Sequence, residues 1–107
     1  MRAAADFTET TRRGTKVPSG SVVVYLLATA SPDPARMGVV TGKNVGGSVE
    51  RHRAARRIRA AVAPAVAELP PGSRLVVRAL RGADTDPALA RHVQAGVERA
   101  RARAGVA

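Results

Sequence analysis

The chain contains no cysteine and no tryptophan, and its aromatic side chains stop at one Phe and one Tyr. Without cysteine there is neither a disulfide framework nor a thiolate metal cluster, and a reducing cytoplasm is the simplest compartment. No apolar run approaches the roughly 18 residues of a membrane span, and the start, Met1 to Phe7, lacks the apolar core of a signal peptide. A soluble cytoplasmic protein without a membrane partner is expected. Acid is scarce too: eight Asp and Glu are scattered among eighteen Lys and Arg. There is no carboxylate constellation of the kind a two-metal nuclease needs and no metal-spaced His cluster. The glycines at 42, 46 and 47 precede a helix, but no Gly-Lys-Ser or Gly-Lys-Thr follows, which excludes a nucleotide-hydrolysing phosphate loop.

What the chain has in quantity is positive charge. The net charge is +10 over 107 residues, and Lys16 and Lys43 are the only lysines, so sixteen of the eighteen cations are Arg. Such an excess is the electrostatic footprint of a nucleic-acid partner. Arg can grip a phosphate through two parallel hydrogen bonds, although the joint abundance of Ala, Gly, Val and Arg also fits GC-rich coding.

The charge is densest between Gly42 and Arg59. Wound as a helix at about 100° per residue, Ala54, Ala55, Ile58, Ala61, Val62, Ala65, Val66 and Leu69 collect into one apolar stripe. His52, Arg53, Arg56, Arg57 and Arg59 fall on the opposite side, and Arg51 lies over the end of the stripe. Like-charge neighbours such as Arg53 and Arg57 cost roughly 0.2–0.5 kcal/mol each, and several of these cations oppose the helix dipole. A polyanion partner explains that cost, whereas a merely solvated face would mix in acid.

Around this helix the chain reads as one small α+β domain, its 107 residues burying about two thirds of the unfolded surface. A short N-terminal helix over residues 3–13 ends at Gly14 in a left-handed cap, and Pro18, Ser19 and Gly20 make a turn. Val22 to Leu27 is a strand, and Arg36 to Thr41 is a second, paired with it as an antiparallel hairpin across a short proline-containing loop. Pro64 is expected to kink the central helix or end its regular part, the helix still extends towards Glu68, and Pro70-Pro71-Gly72 stops it. Leu75 to Leu80 is a further strand, and a last helix starts at Asp86-Pro87 and runs to about Arg103.

Lys43, Val45, Gly46 and Val49, then Arg51-His52-Arg53 followed by Arg56 and Arg59, resemble the signature of the bacterial ribonuclease P protein subunit. Asp6-Phe7 with Gly14 beyond it, Val24-Tyr25, and Leu69-Pro70-Pro71-Gly72 before an apolar strand and a basic last helix fit the same family, so the resemblance spans nearly the whole chain. His52 stands where that family most often has Asn, Ala55 where a Lys is common, and Thr11 where an aromatic is usual. The stretch before Asp6 is shorter than the basic arm family members commonly carry.

The resemblance implies an α/β sandwich with a mostly antiparallel sheet, three helices and a left-handed crossover through the central helix. It further implies a non-catalytic protein subunit that assists a catalytic RNA, with Mg2+ held mainly by that RNA, in removing the 5′ leader from precursor tRNA. No obligate protein partner is expected. Two RNA-facing surfaces follow from it. Lys43, Arg51, His52, Arg53, Arg56, Arg57 and Arg59 would meet the ribonuclease P RNA, and Phe7, Arg12, Arg13 and Tyr25 would receive the leader. For Phe7 and Tyr25 the alternative is a core role, and His52 is either a neutral hydrogen-bonding replacement for Asn or a proton-sensitive contact. On the residues alone, a ribosomal component and a nonspecific DNA-compacting protein also remain open.

Overall fold

The computed structural model describes residues 4–106. In chain order the elements are α1 (Ala4–Arg13), β1 (Thr15–Ser19), β2 (Val22–Ala28), β3 (Arg36–Val40), α2 (Ser48–Glu68), β4 (Ser73–Ala79) and α3 (Leu89–Ala104). The four strands form one sheet in the order β1-β2-β4-β3. β1 and β4 each run antiparallel to β2, and β3 runs parallel to β4.

The expected hairpin between β2 and β3 is therefore not formed, because β4 lies between them. The reason is burial. Leu75, Val76 and Val77 are all fully buried, so β4 needs neighbours on both edges and cover on both faces. The loop over residues 29–35 has to span two interstrand spacings, about 10 Å, and it is pinned across the start of β4: Thr29 donates its N–H to the Gly72 carbonyl, and Gly72 donates its own to Asp33. β1, part of which the sequence pattern assigns to a turn, is an edge strand. Pro18 is tolerated there because one side of an edge strand has no ladder to donate to, and only Gly20 and Ser21 form the turn into β2.

Alternation along β2 and β4 sends Val22, Val24, Leu26, Leu75, Val77 and Ala79 to an inner face. Ala54, Ile58 and Val62 of α2 and Leu89, Val93, Val97 and Ala100 of α3 join them in one cluster. Gly96 lets α3 lie close on the sheet, since a Cβ there would stand 2.7 Å from a Val24 methyl. The outer face carries a smaller cluster of Val23, Tyr25 and Val76, against which Phe7, Val40 and Leu80 pack. α1 is held there by Phe7 and by Arg74, whose guanidinium lies 2.6 Å from Glu9 and 3.5 Å from Asp6. Gly14 does not adopt a left-handed cap. It is needed because a Cβ would collide with the Thr10 carbonyl oxygen and stand 3.1 Å from that of Leu26.

α2 runs through Pro64 to Glu68 as expected, and the proline ring and the Ala60 carbonyl it deprives of a donor lie on the exposed side, where water can serve instead. One helix start needs correcting. α3 begins at Leu89, because Asp86 to Ala88 form a separate turn closed by the Ala88 N–H on Asp86 Oδ1 at 2.8 Å and by the Leu89 N–H on the Asp86 carbonyl.

Asp86 is the joint of this end of the molecule. Its Oδ2 accepts from Ser21 Oγ at 2.6 Å and faces His92 Nδ1 at 2.7 Å. The Ser21 hydroxyl, then the Ala88 N–H and His92, hold its carboxyl at about 2 against an ordinary value of 3.8. A depressed carboxyl stabilises the fold fully above its unfolded pKa and loses that contribution as pH falls through the folded value. Asp86→Asn removes the charge that this depressed carboxyl carries and is expected to lower stability at neutral pH by about 1–2 kcal/mol. Its denaturant-unfolding curves should converge with those of the wild type as pH falls from 4 towards 2; a difference independent of pH would show that the charge is irrelevant.

Candidate nucleic-acid interface

The central helix carries its cations in two rows, not on one face. Its first turn has no side-chain cap, Gly47 being the N-cap residue, and Glu50 is the only acid in that turn. Ahead of it the loop after β3 buries Val45 and leaves Lys43 and Asn44 exposed. One row, His52, Arg56 and Arg59 with Ala55, faces Val39 and Thr41 across an open groove of about 540 Å³. All three polar members are exposed, and among the described residues none has an ion-pair or hydrogen-bond partner. His52 in particular makes no hydrogen bond at the helix entrance. Arg51 is half-buried beside this row.

The other row turns towards the loop between β4 and α3. Arg57 donates to the carbonyl oxygens of Ala83 at 3.3 Å, Asp84 at 3.0 Å and Asp86 at 2.7 Å. That guanidinium therefore holds a loop whose Ala83 and Asp84 are buried. Arg53 stands 3.9 Å from Asp84 Oδ2 with its side chain 45% exposed, so it is tethered and still open to a partner. Helical spacing could not separate these rows, since the loop that captures Arg57 lies more than twenty residues downstream.

Across the sheet, the outer face brings together Phe7 and Tyr25 but not as two free aromatic platforms. Phe7 is half-buried. Tyr25 is 5% exposed, and the Arg78 guanidinium carbon lies over its ring at 5.8 Å from the centroid. Arg12 is exposed at the end of α1, and Arg13 pairs with Glu9 at 3.4 Å. Lys16 and Arg78, which motif and charge-run reasoning passes over, also belong to this face. Their signal is the period-two alternation of β1 and β4, with Lys16 in register with Tyr25 and Arg78 two positions after Val76. Among the described residues no group of three or more His, Cys, Asp or Glu could hold a metal ion, and no helix is long and apolar enough to cross a membrane.

Residues 1–101 match the family model described as Ribonuclease P. The chain belongs to the ribonuclease P protein family. It is 42% identical over 89 residues to the ribonuclease P protein component of Mycolicibacterium paratuberculosis, covering 79% of this chain and 75% of that one. With the ribonuclease P protein component of Mycolicibacterium vanbaalenii it shares 39% over 110 residues, 98% of this chain and 92% of that one. The fold is that of the RNase P protein from Staphylococcus aureus (TM-score 0.75, 24% identity, 99% of this chain and 94% of that chain). The RNase P protein from Thermotoga maritima is similar as well (TM-score 0.76, 19% identity, 92% and 94%). The chain is thus the protein component of the ribonuclease P ribonucleoprotein, acting with an RNA subunit in tRNA 5′ processing.

Separating the rows leads to a stability test. Arg57→Ala leaves carbonyls of a partly buried loop without their charged donor and is expected to cost about 1–3 kcal/mol. Arg56→Ala removes no contact and should stay within about 0.5 kcal/mol of the wild type. Equal denaturant midpoints for the two variants would return Arg57 to the open cationic surface.

Proposed function

We propose that this ribonuclease P protein works through two surfaces on opposite sides of its sheet. The groove of His52, Arg56 and Arg59, with Lys43, Arg51 and Arg53 at its rim, lies against phosphates of the ribonuclease P RNA. The outer face, with Phe7, Arg12 and the Tyr25 region, receives the single-stranded 5′ leader of precursor tRNA. Arg57 serves from within, by fixing the loop beside the first surface, and Arg13 is the weaker of the two leader cations because Glu9 already holds it.

The observation that carries the reading is the distribution of unpaired charge. Five of the eight acids have an arginine partner, Asp6 and Glu9 with Arg74, Asp33 with Arg36, Glu68 with Arg101 and Asp84 with Arg53, and a sixth, Asp86, faces His92. Arg56 and Arg59 on one side of the sheet, and Arg12, Lys16 and Arg78 on the other, have no acidic partner among the described residues. Cations left unpaired in a small protein repel one another, and a polyanion relieves that repulsion while releasing its own counterions.

Mg2+ enters this reading through the RNA. Neutralising RNA phosphates close to the scissile bond lowers the magnesium concentration at which the strands come together, and the protein, in a single domain and in the cytoplasm, supplies no nucleophile. Cleavage of a 5′-extended precursor tRNA by a bacterial ribonuclease P RNA at low Mg2+ is expected only when the chain is added, and none with the chain alone. An unaltered magnesium requirement, despite measurable RNA binding, would favour a general RNA-binding protein instead.

A further inference from the structure

The outer face of the sheet is divided by charge. Next to α1, Arg74 is tied to Glu9 and Asp6, and Arg36 to Asp33 at 3.3 Å. Beyond α1, the side chains that alternation brings to this face are Lys16 and Pro18 of β1, Val23 and Tyr25 of β2, Arg78 of β4 and Val40 of β3. Among the described residues this open part holds cationic hydrogen-bond donors and no carboxylate. Lys16 and Arg78 are both exposed and lie on the strands to either side of Tyr25, each strand about 4.8 Å from the next.

Tyr25 does not offer its ring to a base. The residue is 5% exposed and Arg78 lies over its ring. The attraction of a cation for an aromatic face helps keep the guanidinium in that place, with its outer side towards solvent. A nucleotide arriving here meets the guanidinium, a planar group that stacks on any base but whose edge contains only donors. Bases differ in what they bring to such an edge. Guanine has two adjacent acceptors, O6 and N7, which match the guanidinium fork. Adenine sets an amino donor beside its N7, and cytosine also presents an amino donor. With no carboxylate on the open face among the described residues, no charged acceptor there rewards those amino groups.

We propose that Arg78, held over Tyr25, is the group that the leader meets at this point, and that it makes the protein favour guanine over adenine at the one leader nucleotide that reaches it. The inference rests on the leader-binding reading above and adds to it a selective contact.

The experiment uses the chain assembled with a bacterial ribonuclease P RNA. Dissociation constants are measured for mature tRNA and for precursor tRNAs whose all-uridine leader carries a single guanine or adenine at successive positions. For the wild type, one position is expected at which guanine binds about fivefold tighter than adenine. Arg78→Lys keeps the charge and removes the fork, and the guanine-to-adenine ratio at that position should fall to about one. A ratio taken within one variant does not depend on the fraction of protein that is folded. Absence of a guanine preference at every position, or its survival in Arg78→Lys, would overturn the inference while leaving leader binding intact. Equal affinity of the wild type for precursor and mature tRNA would instead remove the leader reading itself, and this contact with it.

Discussion

The placement of β4 between β2 and β3 is the constraint on which the rest of the molecule depends. Because Leu75, Val76 and Val77 are buried on both faces, the strand can only be central, and the chain must leave β3, cross the inner face as α2 and return beside it. That crossover puts the basic helix over the β3 side of the sheet, so that Val39 and Thr41 form one wall of the groove whose other wall is His52, Arg56 and Arg59. The same strand offers Arg74 and Arg78 to the outer face, where one anchors α1 and the other covers Tyr25. A substitution that disturbed β4 would therefore disturb both faces at once.

Charge is arranged by the same economy of joints. In a chain of +10, acids are placed where two elements have to be held together: Glu9 and Asp6 between α1 and β4, Asp84 between α2 and the loop after β4, Asp86 between the β1–β2 turn and α3. The solvent-facing pairs among these contribute little to stability, about 0–1 kcal/mol each, so their larger effect is on which cations stay open. Arg74 and Arg36 are taken out of the open cationic set by their partners, and Arg57 by three carbonyl oxygens. Arg56, Arg59, Lys16 and Arg78 keep their full electrostatic reach. Two cationic surfaces are left open, divided by an apolar sheet.

Much of this architecture is legible in the amino-acid sequence. The apolar run from Val22 to Leu27, the amphipathic period from Ala54 to Leu69, and Pro70-Pro71-Gly72 each express a local preference, and each element lies where its pattern places it. The signature around Arg51-His52-Arg53 locates the family because it combines charge with spacing. The departures share one cause, which is that contacts are chosen by burial and reach at long range. Proximity in sequence favours a β2–β3 hairpin, yet β4, more than thirty residues after β3, has the stronger claim on both. Pro18 conceals β1 because a proline reads as a turn unless the strand is known to be an edge. Helical angle alone groups Arg57 with Arg53 and Arg56, and the sequence leaves Tyr25 between a leader platform and a core position because nothing local announces Arg78 above it.

The two-sided arrangement can be tested directly, since a chain without cysteine accepts a single one as a unique attachment point. Variants Ala55→Cys, in the groove, and Pro18→Cys, on the open part of the outer face, would each carry an iron chelate that cuts nearby RNA, in a complex of ribonuclease P RNA and precursor tRNA. Cuts from position 55 confined to the RNA subunit, with cuts from position 18 in the leader, are the expected result. Leader cuts from position 55, or the same cut sites from both positions, would contradict the assignment of one RNA surface to each side of the sheet.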